Sequence, residues 1–359
     1  MSRIALITDT HEGVRNDAPV FYDYFKKSFD WMFSIIDEQK IETVIHLGDL
    51  YDRRKYLNYV TAKRTREDFL APLNERGIQT HILVGNHDSY YKDTHEVNSL
   101  KEIVDDRYEN IHTYSIPALI EIDGCSLQLL PWITPSNYQI SMDTIKTSQA
   151  EILLGHLDLM GFEELKGRIS DHGMDSQVFD RFDMVLSGHF HHRSTIRNIH
   201  YLGAFTEQTW SDYNDPRGFT IFDTDTRQLE FHKNPFTLFK MISYDDVKDL
   251  NIYETIRDTD YSSFANSYVK IVCVAKNNPV AFDTLCDKLY KVGPTNVSVV
   301  EDVSTFVDNE EDTEIDQSED TPTLLRKFID GLTLAVDPAK IKTLMQDIYM
   351  EALTLDQTT

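Results

Sequence analysis

Ile4-Ala5-Leu6-Ile7-Thr8 runs directly into Asp9-Thr10-His11. A short apolar run that opens onto a carboxylate and an imidazole reads as a buried strand with chemistry at its carboxyl end. Four further runs repeat the arrangement. Residues 43–47 enter Gly48-Asp49, 81–84 enter Gly85-Asn86-His87-Asp88, 152–154 enter Gly155-His156, and 184–187 enter Gly188-His189-Phe190-His191. Between the first three lie stretches with helical spacing. Residues 21–39 carry Phe25, Phe29, Met32, Phe33 and Ile36, and residues 59–77 carry Val60, Phe69, Leu70 and Leu73 before closing on Gly77. Strands alternating with helices imply an α/β fold. Sites in such folds gather beyond the carboxyl ends of the strands, where all five polar clusters fall.

The donors in those clusters are Asp9, His11, Asp49, Asn86, His156, His189 and His191. Carboxylate, imidazole and amide oxygen without thiolate suit manganese, iron or zinc. Seven donors exceed what one ion needs. They fit two ions sharing a bridging carboxylate, roughly 3.5–4 Å apart, a standard device for phosphoryl chemistry. His87 is a spare imidazole beside Asn86, suited to stabilise a transition state or protonate a leaving oxygen. Asp88 follows and is placed to orient that ring. A single His at a strand end is ordinarily a polar loop residue; the same coincidence at five strand ends is not. Among the other histidines, His46 sits inside a strand and reads as core or support for the site. His192 neighbours the last motif without a required role.

A chain of 359 residues with 41% hydrophobic content suggests two or three modules and a sizeable core. No apolar run approaches the ~20 residues of a membrane span. The first residues read as a strand rather than a signal peptide. Cys125, Cys273 and Cys286 form no metal-like spacing and no disulfide framework, which fits a reducing cytoplasm. The formal charge of −25 argues against a free-standing DNA clamp. Arg53, Arg54 and Lys55, followed by Lys63, Arg64 and Arg66, nevertheless form a local basic cluster, which reads either as a phosphate-binding patch or as a solvated helix face. The text is β-like over 201–233. A second module starts near Phe239, with strands expected at 268–274 and 297–303 around a helix at 280–291. Residues 308–320 are acidic and polar, as a solvated linker is. Beyond Pro322 two amphipathic helices carry Leu324, Leu325, Phe328, Ile329 and Leu332, then Ile341, Leu344, Met345, Ile348, Tyr349 and Ala352. Their apolar faces suit a partner's groove or coiled coil, unless they fold back on the first module.

Taken in order, Asp9-Thr10-His11, Gly48-Asp49-Leu50-Tyr51-Asp52, Gly85-Asn86-His87-Asp88, Gly155-His156 and Gly188-His189-Phe190-His191 resemble the calcineurin-like metallophosphoesterase signature over residues 9–191. The resemblance implies a four-layer αββα sandwich with a small α/β capping domain and a C-terminal helical tail. It implies that Asp9, His11, Asp49 and His191 hold one metal. Asp49, Asn86, His156 and His189 would hold the other, with Asp49 bridging and His87 catalytic. Ser/Thr protein phosphatases end the third motif in Glu and follow the Asp-Arg of the second with Gly; here stand Asp88 and Arg54. Residues 201–205 (Tyr-Leu-Gly-Ala-Phe) and 215–219 (Asp-Pro-Arg-Gly-Phe) resemble the segment closing the nuclease domain of SbcD-type double-strand-break repair nucleases. The module order is similar to that family as well, nearest its phage recombination endonuclease branch.

That resemblance implies a nuclease domain at 1–235, a capping domain at 239–305, an acidic linker at 306–321 and a partner-binding tail at 322–359. It further implies two Mn2+ ions (with Mg2+, Fe2+ or Zn2+ as alternatives), exonuclease action on duplex DNA ends and endonuclease action on single strands. An SMC-like ATPase would bind the C-terminal helices, the nuclease domain would form a homodimer, and the complex would act in repair and recombination. Many cellular relatives have His three residues after the bridging Asp, where this chain has Asp52. A small-substrate phosphodiesterase or phosphatase, and a non-catalytic scaffold of a repair complex, are the rival expectations.

Overall fold

In the computed structural model, which describes residues 3–105, 107–249 and 251–300, strands β1 (Arg3–Ile7), β2 (Thr43–His46), β3 (Gln79–Leu83) and β4 (Ile111–Tyr114) pair in parallel, in chain order. The chain then builds a second sheet. It holds β5 (Ala118–Ile122), β6 (Cys125–Leu130) and β7 (Ile152–His156), and, after a small hairpin of β8 (Glu163–Leu165) and β9 (Arg168–Ile169), β10 (Met184–Gly188), β11 (Ser194–Ile196) and β12 (Ile199–Tyr201). Its spatial order is β11-β12-β10-β7-β6-β5. Strands β13 (Gly218–Asp223) and β14 (Leu229–Lys233) return to the first sheet, antiparallel beside β1.

The period of two along each strand sorts side chains into layers. Ile4, Leu6, Ile45 and Leu83 face Leu127, Leu129, Ile152, Leu154 and Leu186 between the sheets. Ala5, Ile7, Val44 and Ile82 turn the other way and pack under Phe25, Phe29, Met32, Phe33 and Ile36 of the helix Pro19–Gln39. Leu153 and Val185 of the second sheet meet Ile145, Phe179 and Phe182 on its outer side. Both faces of these strands are buried, which is why they read as continuous apolar runs. The result is the four-layer αββα arrangement. Phe29 shows what the layers gain: fully buried, its ring stacks at 4.8 Å on Phe69 and 5.3 Å on Phe205. Truncating such a residue costs about 3–5 kcal/mol.

Helix boundaries follow local chemistry. Pro19 occupies the first turn of Pro19–Gln39. The Asn58 side chain caps Tyr59–Thr65 by accepting from the Val60 N–H. This helical stretch continues through a π turn, Arg66–Leu70, to Ala71–Glu75. Elements between residues 111 and 147, including β4, β5, β6 and the helix Tyr138–Thr147, were not anticipated from the sequence.

The second module is a three-stranded parallel sheet, β15 (Phe239–Asp245), β16 (Tyr268–Ala275) and β17 (Asn296–Val300), with the helix Pro279–Val292 crossing between β16 and β17. Tyr244, Ile271, Cys273, Phe282 and Leu285 form its core. It packs on the first sheet's helical layer through aromatic contacts: Phe239 and Tyr268, stacked on each other within it, lie under Arg15, and Tyr268 meets Phe21. The linker, the helical tail and residues 301–303 of the expected last strand lie outside the described residues. No helix among the described residues is long and apolar enough to cross a membrane.

Candidate metal centre

Strands β1, β2, β3, β7 and β10 all open their carboxyl ends at one edge of the sandwich, so five loops from two sheets converge there. Three of these loops, after β1, β2 and β10, bend sharply. Asp9 (φ 52°), His11 (47°), Asp49 (57°) and His189 (89°) all have left-handed backbone, a conformation that costs a non-glycine residue about 1 kcal/mol or more. Four of the seven expected donors are therefore held in strained backbone by what surrounds them.

Those surroundings are specific. The buried Asp9 carboxylate accepts from the Thr8 hydroxyl (2.6 Å) and the His189 N–H (3.0 Å), and Gln208 Nε2 donates to the Asp9 carbonyl (2.7 Å). Asp49 Oδ1 accepts from the His87 N–H (2.8 Å). Its other oxygen lies between two imidazoles, 3.7 Å from His11 Nε2 and 3.3 Å from His156 Nε2. His11 Nε2 is 3.2 Å from His191 Nε2. The Asn86 Oδ1 atom is 2.9 Å from His156 Nε2 and 3.0 Å from His189 Nδ1. Ligand atoms of Asp9, His11 and His191 lie within 4.8 Å of one another, as do those of Asp49, His156 and His189. A third such group joins His11, Asp52 and His87. Glycine lets these loops close. A Cβ on Gly85 would sit 2.1 Å from Asp49 Oδ1, and one on Gly188 would sit 2.0 Å from Thr8 Oγ1.

The donor set fits a cation. His156 Nδ1 faces the Leu47 carbonyl at 2.8 Å and must carry a proton to donate. Burial would lower the His156 pKa, yet the Asp49 carboxylate beside it pushes it up to about 9. The positive charge that the site draws onto Nε2, facing the Asn86 oxygen, is the charge a metal ion would supply in that proton's place. Burial would raise Asp49, yet His156, His87 and His11 hold it well below the usual carboxylate range. A buried pair of carboxylates here calls for positive charge, which two divalent ions supply. His46 serves as a brace: burial lowers its pKa to about 3, its Nε2 is 3.0 Å from Thr10 Oγ1, and its Nδ1 accepts from the Gly48 N–H.

The calcineurin-like phosphoesterase family matches residues 2–193, which include all five motif loops. The chain is a calcineurin-like phosphoesterase. This phosphoesterase is 30% identical over 358 residues to Exonuclease subunit 1 of Enterobacteria phage T4, covering 98% of the chain and 99% of that protein. It is 26% identical over 234 residues to the SbcD subunit of the nuclease SbcCD of Staphylococcus epidermidis, 54% of this chain and 58% of that one. A solved archaeal phosphodiesterase aligns with a TM-score of 0.32 at 18% identity, over 64% of this chain and 99% of that chain.

Two sequence expectations for the phosphoesterase are corrected by its geometry. The first is Asp88 as the partner of His87. The fully buried Asp88 carboxylate instead accepts from the N–H groups of Gly85 (3.0 Å), Asp49 (2.9 Å), Leu50 (3.4 Å) and Tyr51 (3.1 Å), and from the Ser99 hydroxyl. It clamps the second and third loops together. The His87 ring is held through Nδ1 by the Asp52 carbonyl at 2.6 Å. The second is Arg53 as a DNA contact. Its guanidinium is nearly buried, pairing with Asp17 (3.0 Å) and Asn16 (2.7 Å) and lying over Tyr56. Lys63 and Arg64 pair along their helix with Glu67 and Asp68, as a solvated face does. Lys55 is exposed, and Arg54 is half-buried.

Sequence reasoning missed three supports of the phosphoesterase site. Gln208 fastens Asp9. Arg217, buried between Asp212 and Asp215, donates to the His191 carbonyl at 2.7 Å. Trp132 stands beside His189 with ring centroids 4.8 Å apart. The family resemblance around residues 215–219 was the one signal that pointed at Arg217.

Proposed function

We propose that this phosphoesterase is a divalent-metal-dependent DNA nuclease, cutting duplex ends as an exonuclease and single strands as an endonuclease. The observation that carries the reading is the convergence of seven oxygen and nitrogen donors from five loops. Similarity along nearly the whole chain to a phage exonuclease subunit supports DNA as the substrate. In this reading Asp9, His11, Asp49 and His191 hold one ion and Asp49, Asn86, His156 and His189 the other. Manganese is the preferred metal, with Mg2+, Fe2+ or Zn2+ as alternatives.

When bound, the pair supplies Lewis acidity toward phosphate oxygens and lowers the pKa of the attacking water. The chain's own residues do the rest. Asp49 presents one oxygen to both halves of the site because its other oxygen is tied to the His87 N–H. The Asp52 carbonyl accepts a hydrogen bond from His87 Nδ1, which leaves Nε2 as the atom to carry the mobile proton. Protonated there, His87 donates to the departing oxygen. The His11 ring packs edge-on against His87 at 4.7 Å and limits its rotation. Arg54 and Lys55 contact DNA phosphates.

The relatives are named as subunits, which supports action in a complex. We infer that the partner is an SMC-like ATPase docked on residues 322–359, that the nuclease domain homodimerises, and that the assembly processes broken ends for recombination in the cytoplasm. The test is purified chain with manganese on linear duplex, circular single strands and a chromogenic phosphodiester, with and without the ATPase. DNA left intact while the small ester is cleaved overturns the nuclease reading. His87→Ala should slow cleavage by about 10²–10⁴-fold; a wild-type rate removes that role. Deleting residues 322–359 should abolish ATPase co-purification and spare the small ester.

A further inference from the structure

We propose that the cavity flanking the metal centre is a stacking subsite for one base of an unpaired nucleotide, with the Trp132 indole as its platform. This rests on the nuclease reading above. The cavity holds about 280 Å³ and is lined by Trp132, Ile133, Pro135, Tyr138, Met174 and the proposed metal ligand His156. The His156 imidazole is the wall it shares with the metal centre. The Trp132 ring centroid is 4.8 Å from His189 and 6.0 Å from His156. A base is one sugar away from its phosphate, and the indole is one ring away from the residues that would hold the metal binding that phosphate. The volume falls below the roughly 300–1,000 Å³ of sites for drug-sized ligands, so it suits a single planar ring system.

The backbone that carries the platform is fixed in advance. The Trp132 backbone N–H donates to the Val84 carbonyl (2.9 Å), and its carbonyl accepts from Asn137 Nδ2 (3.0 Å). His95 Nε2 is 2.7 Å from the same carbonyl, while His95 Nδ1 is 2.6 Å from the Ser89 hydroxyl. The Trp132 carbonyl can only accept, so His95 Nε2 carries a proton, and burial disfavours a second one on the ring by lowering its pKa. This relay ties Trp132 to the loop that carries Asn86 and His87, where the Ser89 hydroxyl also lies 3.3 Å from the Gly85 carbonyl. Asp158, also on the cavity wall, has a buried Oδ1 with no hydrogen-bond partner among the described residues. An acceptor of that kind matches the N–H edge of a base. In a duplex that edge is paired and both faces are stacked, so only an unpaired or frayed nucleotide can enter.

The experiment uses the full chain with manganese and two short single-stranded oligonucleotides, identical except for a base or an abasic tetrahydrofuran at the scissile nucleotide. Aromatic stacking predicts that wild type prefers the base-bearing strand by roughly 5–150-fold in kcat/KM. Trp132→Leu should bring that ratio close to one, and Trp132→Phe should keep most of it. A second readout needs no turnover. With calcium replacing manganese, 2-aminopurine at the same position should lose emission on binding wild type and Trp132→Phe, and keep it with Trp132→Leu. A wild-type ratio near one, or a Trp132→Leu ratio equal to wild type, overturns the subsite while leaving the nuclease reading intact. If neither oligonucleotide is cut while methyl p-nitrophenyl phosphate is hydrolysed, the nuclease reading fails and the subsite with it.

Discussion

Gly85→Ala adds one methyl group and should disable the site. The new Cβ would lie 2.1 Å from Asp49 Oδ1 and 2.4 Å from the Asp49 backbone nitrogen. Ordinary contact begins at 3.4 Å, so the carboxylate must retreat by about 1.3 Å. It cannot swing aside cheaply. Oδ1 is tied to the His87 N–H, and the Asp49 N–H is tied to Asp88. The retreat pulls Oδ2 out of its place between His11 and His156. Overpacking of this kind costs about 1–3 kcal/mol of stability, and a 1 Å misplacement of reacting groups costs on the order of 10²-fold in rate. The assay is manganese titration by calorimetry, then hydrolysis of a chromogenic phosphodiester, then a thermal melt. Metal affinity should drop by about 10–100-fold and kcat/KM by about 100-fold. Gly77→Ala is the control: it too is left-handed, at φ +68°, yet a Cβ there meets nothing within 4 Å. That variant should lose about 1 kcal/mol of stability and no metal affinity. Wild-type metal binding and turnover in Gly85→Ala would refute the reasoning.

Chelation should lower the melting temperature, and saturating manganese at about 100 times its Kd should restore about 2.7 kcal/mol; an unchanged melt would deny the chain a metal site. Arg53→Ala should cost about 3 kcal/mol, because it strands the buried Asp17 charge, whereas Lys55→Ala should reduce the salt slope of DNA binding by about one phosphate contact. Glu207, whose carboxylate accepts from the Leu238 and Phe239 N–H groups where the second module begins, is pushed by burial up to about 7. Its folded pKa exceeds its ordinary value of 4.5, so its contribution is full below that value and is lost as pH rises through 7. Glu207→Gln should flatten the decline in stability over that window, and a melt profile of unchanged slope would count against it.

The five strands that lead into the site were legible because both of their faces are largely buried, so each reaches its loop through a run rich in apolar residues. The donors were legible for the same reason: Asp9 or His156 stands out only because what precedes it is so uniformly hydrophobic. Strand β5 was not, since it alternates exposed and half-buried residues at a sheet edge, and such a pattern is weak over five positions. Asp88 was misread because adjacency in sequence suggested contact with His87, whereas the turn sends its carboxylate back toward the amides of residues 49–51. Arg53 was misread because its partner, Asp17, lies 36 positions away. Charge in a sequence records the residue type, and only the fold decides whether it meets solvent or a counter-ion. Gln208 and Arg217 act through backbone carbonyls of Asp9 and His191, a kind of support that leaves no spacing signal.

The left-handed backbone at Asp9, His11, Asp49 and His189 has a practical consequence for anyone breeding a hardier form of this protein. A screen that rewards survival on heating, blind to catalysis, would be drawn to these four positions, because glycine relaxes each twist. The winners would be tougher molecules that had discarded their chemistry, so selection here must score turnover alongside endurance.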